Sequence, residues 1–179
     1  MSKIAHDPDE ILAVVDDKNG IVGKEARRII HEKGLWHREV YNYILTSEKK
    51  VLLHKRLDMH LWDHSCSGHF PHDQNYMQAA QREFEEELGI KLEYDDFQEL
   101  GIEKIYGIRP DGSNDNRFAK IYLVKKDISI EDFKIDPQEI EGIRYFNRNA
   151  LECLLSSQKR MITDSARQLI PKYILSLLK

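Results

Sequence analysis

Four absences set the first limits on this chain. Its 179 residues include only two cysteines, Cys66 and Cys153, far apart in sequence. That excludes a disulfide-stapled secreted scaffold and leaves two free thiols. No run of 18 apolar residues occurs, and the opening Met1-Ser2-Lys3-Ile4-Ala5-His6-Asp7-Pro8 has no apolar core of a signal peptide. The expected setting is therefore cytoplasmic, with no membrane partner. Cationic excess is missing too: 27 Lys and Arg against 31 Asp and Glu give a formal charge of −4. Broad attraction for a nucleic acid polymer is excluded, so an anionic substrate needs local help. No Ser/Gly/Pro-rich linker, low-complexity tract or internal repeat divides the chain, which predicts a single domain over residues 1–179.

What is present suits a mixed α and β domain. Hydrophobic residues make up 41% and charged residues 32%. A core of this size needs no metal merely to stay folded, so any metal site is expected to be functional. Ile11 to Val15, the turn Asp17-Lys18-Asn19-Gly20 and Ile21 to Gly23 predict a hairpin. A short helix over Lys24 to Lys33, stopped by Gly34, completes an N-terminal unit, residues 1–34. Strands are predicted at Trp36–Leu45, Val51–Leu57, Phe97–Ile108, Phe118–Val124 and Ile143–Phe146, with a loop from Arg109 to Arg117. A long loop, Asp58 to Gln74, precedes a helix over Asn75 to Leu88; loops of that length tend to be functional. Two helical stretches close the chain over residues 148–179, Arg148–Ser157 and Thr163–Leu178, the second kinked or delayed by Pro171.

The Asn75–Leu88 helix carries the chemistry. Tyr76, Ala80, Phe84 and Leu88 form its apolar stripe, and Glu83, Glu86 and Glu87 share an arc of about 100° beside it. Like charges at this spacing cost a few tenths of a kcal/mol per pair, and the C-terminal half of a helix disfavours anions. A solvated acidic face is the plain explanation. The alternative is a divalent cation such as Mg²⁺ or Mn²⁺, which takes hard carboxylate oxygens and bridges them to phosphate.

The surrounding residues resemble a known motif. From Gly68 the chain runs through Arg82-Glu83-Phe84, Glu86-Glu87 and Gly89-Ile90, which matches the Nudix box at eight of nine specified positions; Gln74 stands where that family has Glu. The resemblance spans residues 68–90. It implies an α+β fold, an α/β/α sandwich with a mixed β-sheet and a loop-helix-loop metal site. It also implies a hydrolase using Mg²⁺ or Mn²⁺ to cleave a small organic or nucleoside diphosphate derivative. By position, Glu83, Glu86, Glu87 and the Gly68 carbonyl would hold metal, and Glu86, Glu87 and Arg82 would serve catalysis, Arg82 by holding the carboxylates.

A second resemblance, over roughly Ile11 to Ile90, is to the isopentenyl-diphosphate isomerases. Asp17-Lys18-Asn19-Gly20, Gly23, Leu35-Trp36-His37-Arg38, Trp62 and Ser65-Cys66-Ser67-Gly68-His69 carry it. It implies a second metal site at His31, His37 and His69, and isomerase chemistry is an alternative function. Ser67 stands where those isomerases have a catalytic cysteine, and Asn116, Arg117 and Lys120 occupy the region of their later glutamates. A non-catalytic Nudix-like binding module is the third reading, prompted by Gln74.

His60, His64, Cys66, His69 and His72 crowd the long loop in no standard zinc spacing. His60, His64 and His72 are expected as exposed loop residues. His69, Arg38, His37 and Arg56 are candidate contacts to substrate. Asp115, Glu139 and Glu141 are rival general bases. A small diphosphate compound is the expected partner, and a homodimer is left open.

Overall fold

A computed structural model describes residues 7–108, 112–157 and 159–179. Strands β1 (Ile11–Val15) and β2 (Ile21–Ala26) form the expected antiparallel hairpin. Asp16 Oδ1 closes its turn, accepting from the backbone N–H of Lys18 at 2.9 Å and of Gly20 at 2.7 Å. β2 continues past Gly23 to Ala26, so helix α1 is only Arg27–Lys33. Gly34 follows at φ 62°, a left-handed cap that costs glycine little.

The main sheet contains β3 (His37–Leu45), β4 (Val51–Arg56), β5 (Cys66–His69), β6 (Phe97–Ile108), β7 (Asn114–Lys125) and β8 (Ile140–Phe146), in the order β6-β7-β3-β4-β8, with β5 also on β3. β3 and β7 are parallel and the other pairs antiparallel. The sheet is therefore mixed, as expected. Alternate β3 side chains serve opposite layers. Val40 and Ile44 pack toward helix α2 (Tyr76–Leu88), while Tyr41, Tyr43 and Leu45 join Leu151 and Leu154 of α3 (Arg148–Ser156) and Ala166 and Leu169 of α4 (Asp164–Leu169). Burial on both faces explains why β3 reads as an almost unbroken apolar run.

Four further sequence-based boundaries change. The Asp58–Gln74 segment is not all loop, because it contains β5. β3 and β4 share the single pair Leu45↔Val51 and then diverge, and β5 enters the gap by pairing with β3 from Asn42 to Glu39. Ser65 bridges the split: its Oγ donates to Leu52 O at 2.6 Å and accepts from Ile44 N at 2.9 Å. Cys-Ser-Gly-His has neither β-branched residues nor apolar alternation, so nothing local marks it as a strand. β7 begins at Asn114, which converts much of the expected 109–117 loop into strand; Arg109, Pro110 and Asp111 lie outside the described residues. β8 begins at Ile140 rather than Ile143. The last helix stops at Leu169 and gives way to a wide turn over Ile170–Ile174 around Pro171, which cannot donate to the helical ladder. Among the described residues no helix is long and apolar enough to cross a membrane.

Helix α2 enters through a reciprocal cap. The Asn75 side chain accepts from Met77 N and Gln78 N, both at 3.0 Å, and Gln78 Oε1 accepts from Asn75 N at 3.0 Å. Asn75→Ala is expected to lower stability by about 1 kcal/mol, read from the urea midpoint at unchanged m-value.

Candidate active site

The acidic edge of α2 is not a solvated face. Glu83 and Glu87 are each only 3% exposed, and Glu86 is half-buried. One guanidinium organises them. Arg82 donates through Nη2 to Glu83 Oε1 at 2.6 Å and to His69 O at 2.8 Å, through Nη1 to Glu86 Oε2 at 2.7 Å, and through Nε to Gln74 Oε1 at 3.2 Å. Gln74 thus accepts from Arg82 without the charge of the Glu that the Nudix box has at this position. Gly68 lies against the Glu83 carboxylate: a Cβ there would stand 2.4 Å from Glu83 Oε1. Only glycine lets β5 and α2 approach so closely.

Glu87 is the strained member of the set. Burial, then the charges of Glu83 and Glu139, push its carboxyl well above the ordinary range, against Arg56 and the Ser67 N–H. Its Oε1 accepts from Ser67 N at 3.4 Å, whereas Oε2 is buried with no hydrogen-bond partner and has His54 Nδ1 3.5 Å away. A buried carboxylate pair with an unsatisfied oxygen fits a hard divalent cation, which Glu83 and Glu87 would hold, with Glu86 at the rim.

A second constellation lies one residue further along β5. Ligand atoms of His31, His37, His69 and Asp115 all fall within 4.8 Å of one another. His69 Nε2 is 2.8 Å from His37 Nε2, and Asp115 Oδ1 is 3.3 Å from His37 Nε2 and 3.6 Å from His31 Nε2. His37 Nδ1 donates to Leu35 O at 3.1 Å; since a carbonyl only accepts, the neutral ring carries its lone pair on Nε2, aimed into the cluster. Burial would raise the Asp115 carboxyl, but the neighbouring His37 and the charge of Arg117 hold it well below the carboxylate range. Burial, with Arg27 and the neighbouring imidazoles, lowers His69. Three imidazoles around a carboxylate suit Mn²⁺ or a softer divalent ion better than Mg²⁺.

Distant segments assemble this cluster. Gly34 allows α1 to end against the start of β7, where a Cβ on Gly34 would meet Asn114 at 2.9 Å and Asn116 Nδ2 donates to Gly34 O at 2.9 Å. The parallel register pairs His37 with Arg117 and the antiparallel one pairs Glu39 with His69. Asp115, a candidate base by sequence, therefore joins the three histidines. No local signal identified that role, which depends on strand register.

Both constellations border a cavity of about 1180 Å³ that His31, His69, Gly68, Glu83, Arg56 and Glu139 help to line. The other candidates separate around it. Glu141 sits outside, bonded to Lys55 at 2.6 Å and His60 at 2.7 Å. Arg38 is on the opposite face of β3, donating to Asn19 Oδ1 at 2.9 Å and stacking over Tyr76. Arg56 is held by Asp58 at 2.8 Å and by Asp63 at 3.6 Å. The loop histidines do not converge. His60 is exposed, as expected, and His72 is half-buried, 3.4 Å from Lys24 Nζ. His64 corrects the expectation of an exposed residue: it is fully buried, stacked on Tyr41, with Nδ1 2.6 Å from Tyr43 OH. Its pairing with the diverging strands draws it inward, since His54 N donates to His64 O at 3.0 Å and Asp63 N donates to His54 O at 2.8 Å.

Two measurements follow from this geometry. Gly68→Ala should displace the Glu83 carboxylate and lower Mn²⁺ affinity by about 10- to 100-fold, the range for disturbing a metal's supporting shell, while the protein remains folded by circular dichroism. The second concerns pH. Burial pushes the His64 imidazole down to about 4. The neutral ring therefore stabilises the fold fully above its unfolded value near 6.5, and this contribution is lost as pH falls from 6.5 toward 4, by up to about 3 kcal/mol. Urea titrations at several pH values should show this slope in the parent protein and a flatter one in His64→Gln.

Comparison with known proteins matches this architecture. The sequence model of the NUDIX domain matches residues 35–173. Over 151 residues the chain is 30% identical to Nudix hydrolase 3 of Arabidopsis thaliana, covering 79% of this chain and 19% of that protein. Over 90 residues it is 33% identical to an isopentenyl-diphosphate Delta-isomerase of Serratia proteamaculans, 48% of this chain and 50% of that one. The chain thus spans about a fifth and a half of these two relatives. Among solved structures, DR0079 of Deinococcus radiodurans superposes with a TM-score of 0.72 at 20% identity, covering 92% of this chain and 99% of that one. The dihydroneopterin triphosphate pyrophosphohydrolase of E. coli gives 0.57 at 15% identity, covering 78% and 95%. With the match running from Leu35, just ahead of the strand that carries His37, into the C-terminal segment, the chain belongs to the Nudix hydrolase family.

Proposed function

We propose that this Nudix protein is a divalent-metal-dependent hydrolase that cleaves the diphosphate of a small organic compound, with nucleoside diphosphate derivatives the first class to test. The observation that carries this reading is the buried Glu83–Glu87 pair, in which Arg82 holds Glu83 against Gly68 at the wall of a cavity large enough for a small substrate and Glu87 Oε2 is left unsatisfied. Mg²⁺ or Mn²⁺ bound there would neutralise diphosphate oxygens and lower the pKa of an attacking water. Arg56 presents a fixed cation to the same cavity, and His69 joins the carboxylate edge to the imidazole cluster. Glu139 is the base we assign to the water's proton, because it lines the cavity close enough to Glu87 for the two charges to interact. Asp115 is committed to the histidines and Glu141 to Lys55 and His60.

Isomerisation is the weaker reading because the cavity face lacks a titrating pair where the relatives' chemistry needs one. Strand alternation turns Ser67 toward the Tyr41 face, and Arg117 occupies β7 beside His37. A hydroxyl and a guanidinium neither gain nor lose protons near neutral pH. A non-catalytic module is disfavoured by Gln74, which preserves the Arg82 bond and with it the carboxylate geometry.

A panel of diphosphate compounds that includes isopentenyl diphosphate, assayed with Mg²⁺ or Mn²⁺ and analysed by product mass, tests all three. We expect cleavage that disappears on chelation, no isopentenyl isomer exchange, and a loss of at least about 100-fold in kcat for Glu87→Gln with folding retained. Isomer exchange without phosphate release, or wild-type turnover in both Glu83→Gln and Glu87→Gln, would sink the proposal.

A further inference from the structure

Arg117 lies on β7 at the cavity and has most of its donors unused. Its Nη1 donates to Glu39 Oε2 at 2.9 Å and stands 3.6 Å from Asp115 Oδ2. Nε is buried without a hydrogen-bond partner, and among the described residues Nη2 has none either. The guanidinium is nevertheless well anchored: Tyr41 OH donates to the same Glu39 oxygen at 2.6 Å, and Glu39 is itself buried. Across the hairpin, β6 presents Gly107 opposite Asp115, and a Cβ there would stand 3.2 Å from Arg117 Nη2 and 2.9 Å from Asp115 O. A side chain at 107 would press on the open end of the fork; glycine leaves it clear. A buried guanidinium anchored through Nη1, with Nη2 clear of any partner, is suited to donate to an oxyanion in the cavity.

We propose that Arg117 is a substrate-binding residue, its open edge donating to a phosphoryl oxygen of the diphosphate beside the His31–His37–His69–Asp115 cluster. The inference rests on the diphosphate reading above and adds to it a specificity element outside the Nudix box. The local charges agree with it: Glu39 and Asp115 by themselves outweigh Arg117, and a divalent cation on the cluster would turn the balance positive. Anion and cation binding are therefore coupled at this end of the cavity.

The test is equilibrium binding of methylenediphosphonate, a diphosphate analogue that cannot be hydrolysed at its bridge, measured by calorimetry in saturating Mn²⁺. Mn²⁺ affinity is titrated separately, and thermal unfolding confirms that each variant is folded. Arg117→Lys keeps a cation next to Glu39 but loses the fork, and should weaken analogue binding about tenfold with Mn²⁺ affinity unchanged. In turnover it should raise KM by more than it lowers kcat. Glu39→Gln retains an acceptor for Arg117 and Tyr41 while removing a negative charge, and should tighten analogue binding by about two- to fivefold. A merely structural arginine predicts no such opposite sign. Analogue binding within twofold of wild type in Arg117→Lys, or a parallel loss of Mn²⁺ affinity, overturns the role of Arg117 while leaving the diphosphate reading in place. Failure of the wild-type protein to bind the analogue at all in Mn²⁺ overturns both.

Discussion

The Arg82 guanidinium is the junction on which the site depends. Four acceptors from three parts of the chain converge on it: Gln74 before α2, Glu83 and Glu86 on α2, and the His69 carbonyl on β5. Those bonds hold Glu83 in the interior with its charge paired, while Glu87, one helical turn on, faces Arg56 instead and keeps a raised pKa. They also fix the distance between helix and strand, which is why Gly68 has no room for a side chain. Because His69 is the next residue, the same contact places one end of the imidazole cluster. The carboxylate edge and the histidine cluster are thus consecutive products of one short strand.

The cavity has a related origin in the sheet. β3 and β4 separate immediately after their hairpin, and the backbone groups exposed by the split are satisfied by β5 on one side and by the Asp63–His64 segment on the other. The turn of chain that bonds to His54 carries Asp63 and His64 into the interior. There Thr163 Oγ1 donates to Asp63 Oδ1 at 2.6 Å and Arg56 approaches its other oxygen. Buried polar groups need partners, and here the C-terminal segment supplies one. That network makes the wall of the cavity rigid without making it apolar, an environment more compatible with a charged, hydrated substrate than with a hydrocarbon tail.

Much of this was legible in the sequence, and the reason differs from element to element. Helix α2 was readable because its apolar period, its Asn75 cap and its Gly89 stop all agree, and because three glutamates on one arc are costly without a ligand. The β1–β2 hairpin was readable from its turn residues. β5 was not: Cys66-Ser67-Gly68-His69 forms a strand because β3 offers an unpaired edge there, a condition that no local propensity encodes. The burial of His64 follows from the same split.

Motif spacing and helical geometry are local properties, so the residues alone sufficed for the family, for helix α2 with its three glutamates and for the expectation that His31, His37 and His69 could meet. Only the tertiary structure decided that Asp115 completes that cluster, that Arg38 faces away, that Glu139 and not Glu141 reaches the cavity, and that Arg117 stands open beside the histidines. The placements of Asp115 and Arg117 depend on strand register. A shift of one residue in the pairing of β7 with β3 would exchange Asp115 and Arg117 for Asn116 and Phe118 on the cavity face, because successive side chains of a strand point to opposite sides of the sheet.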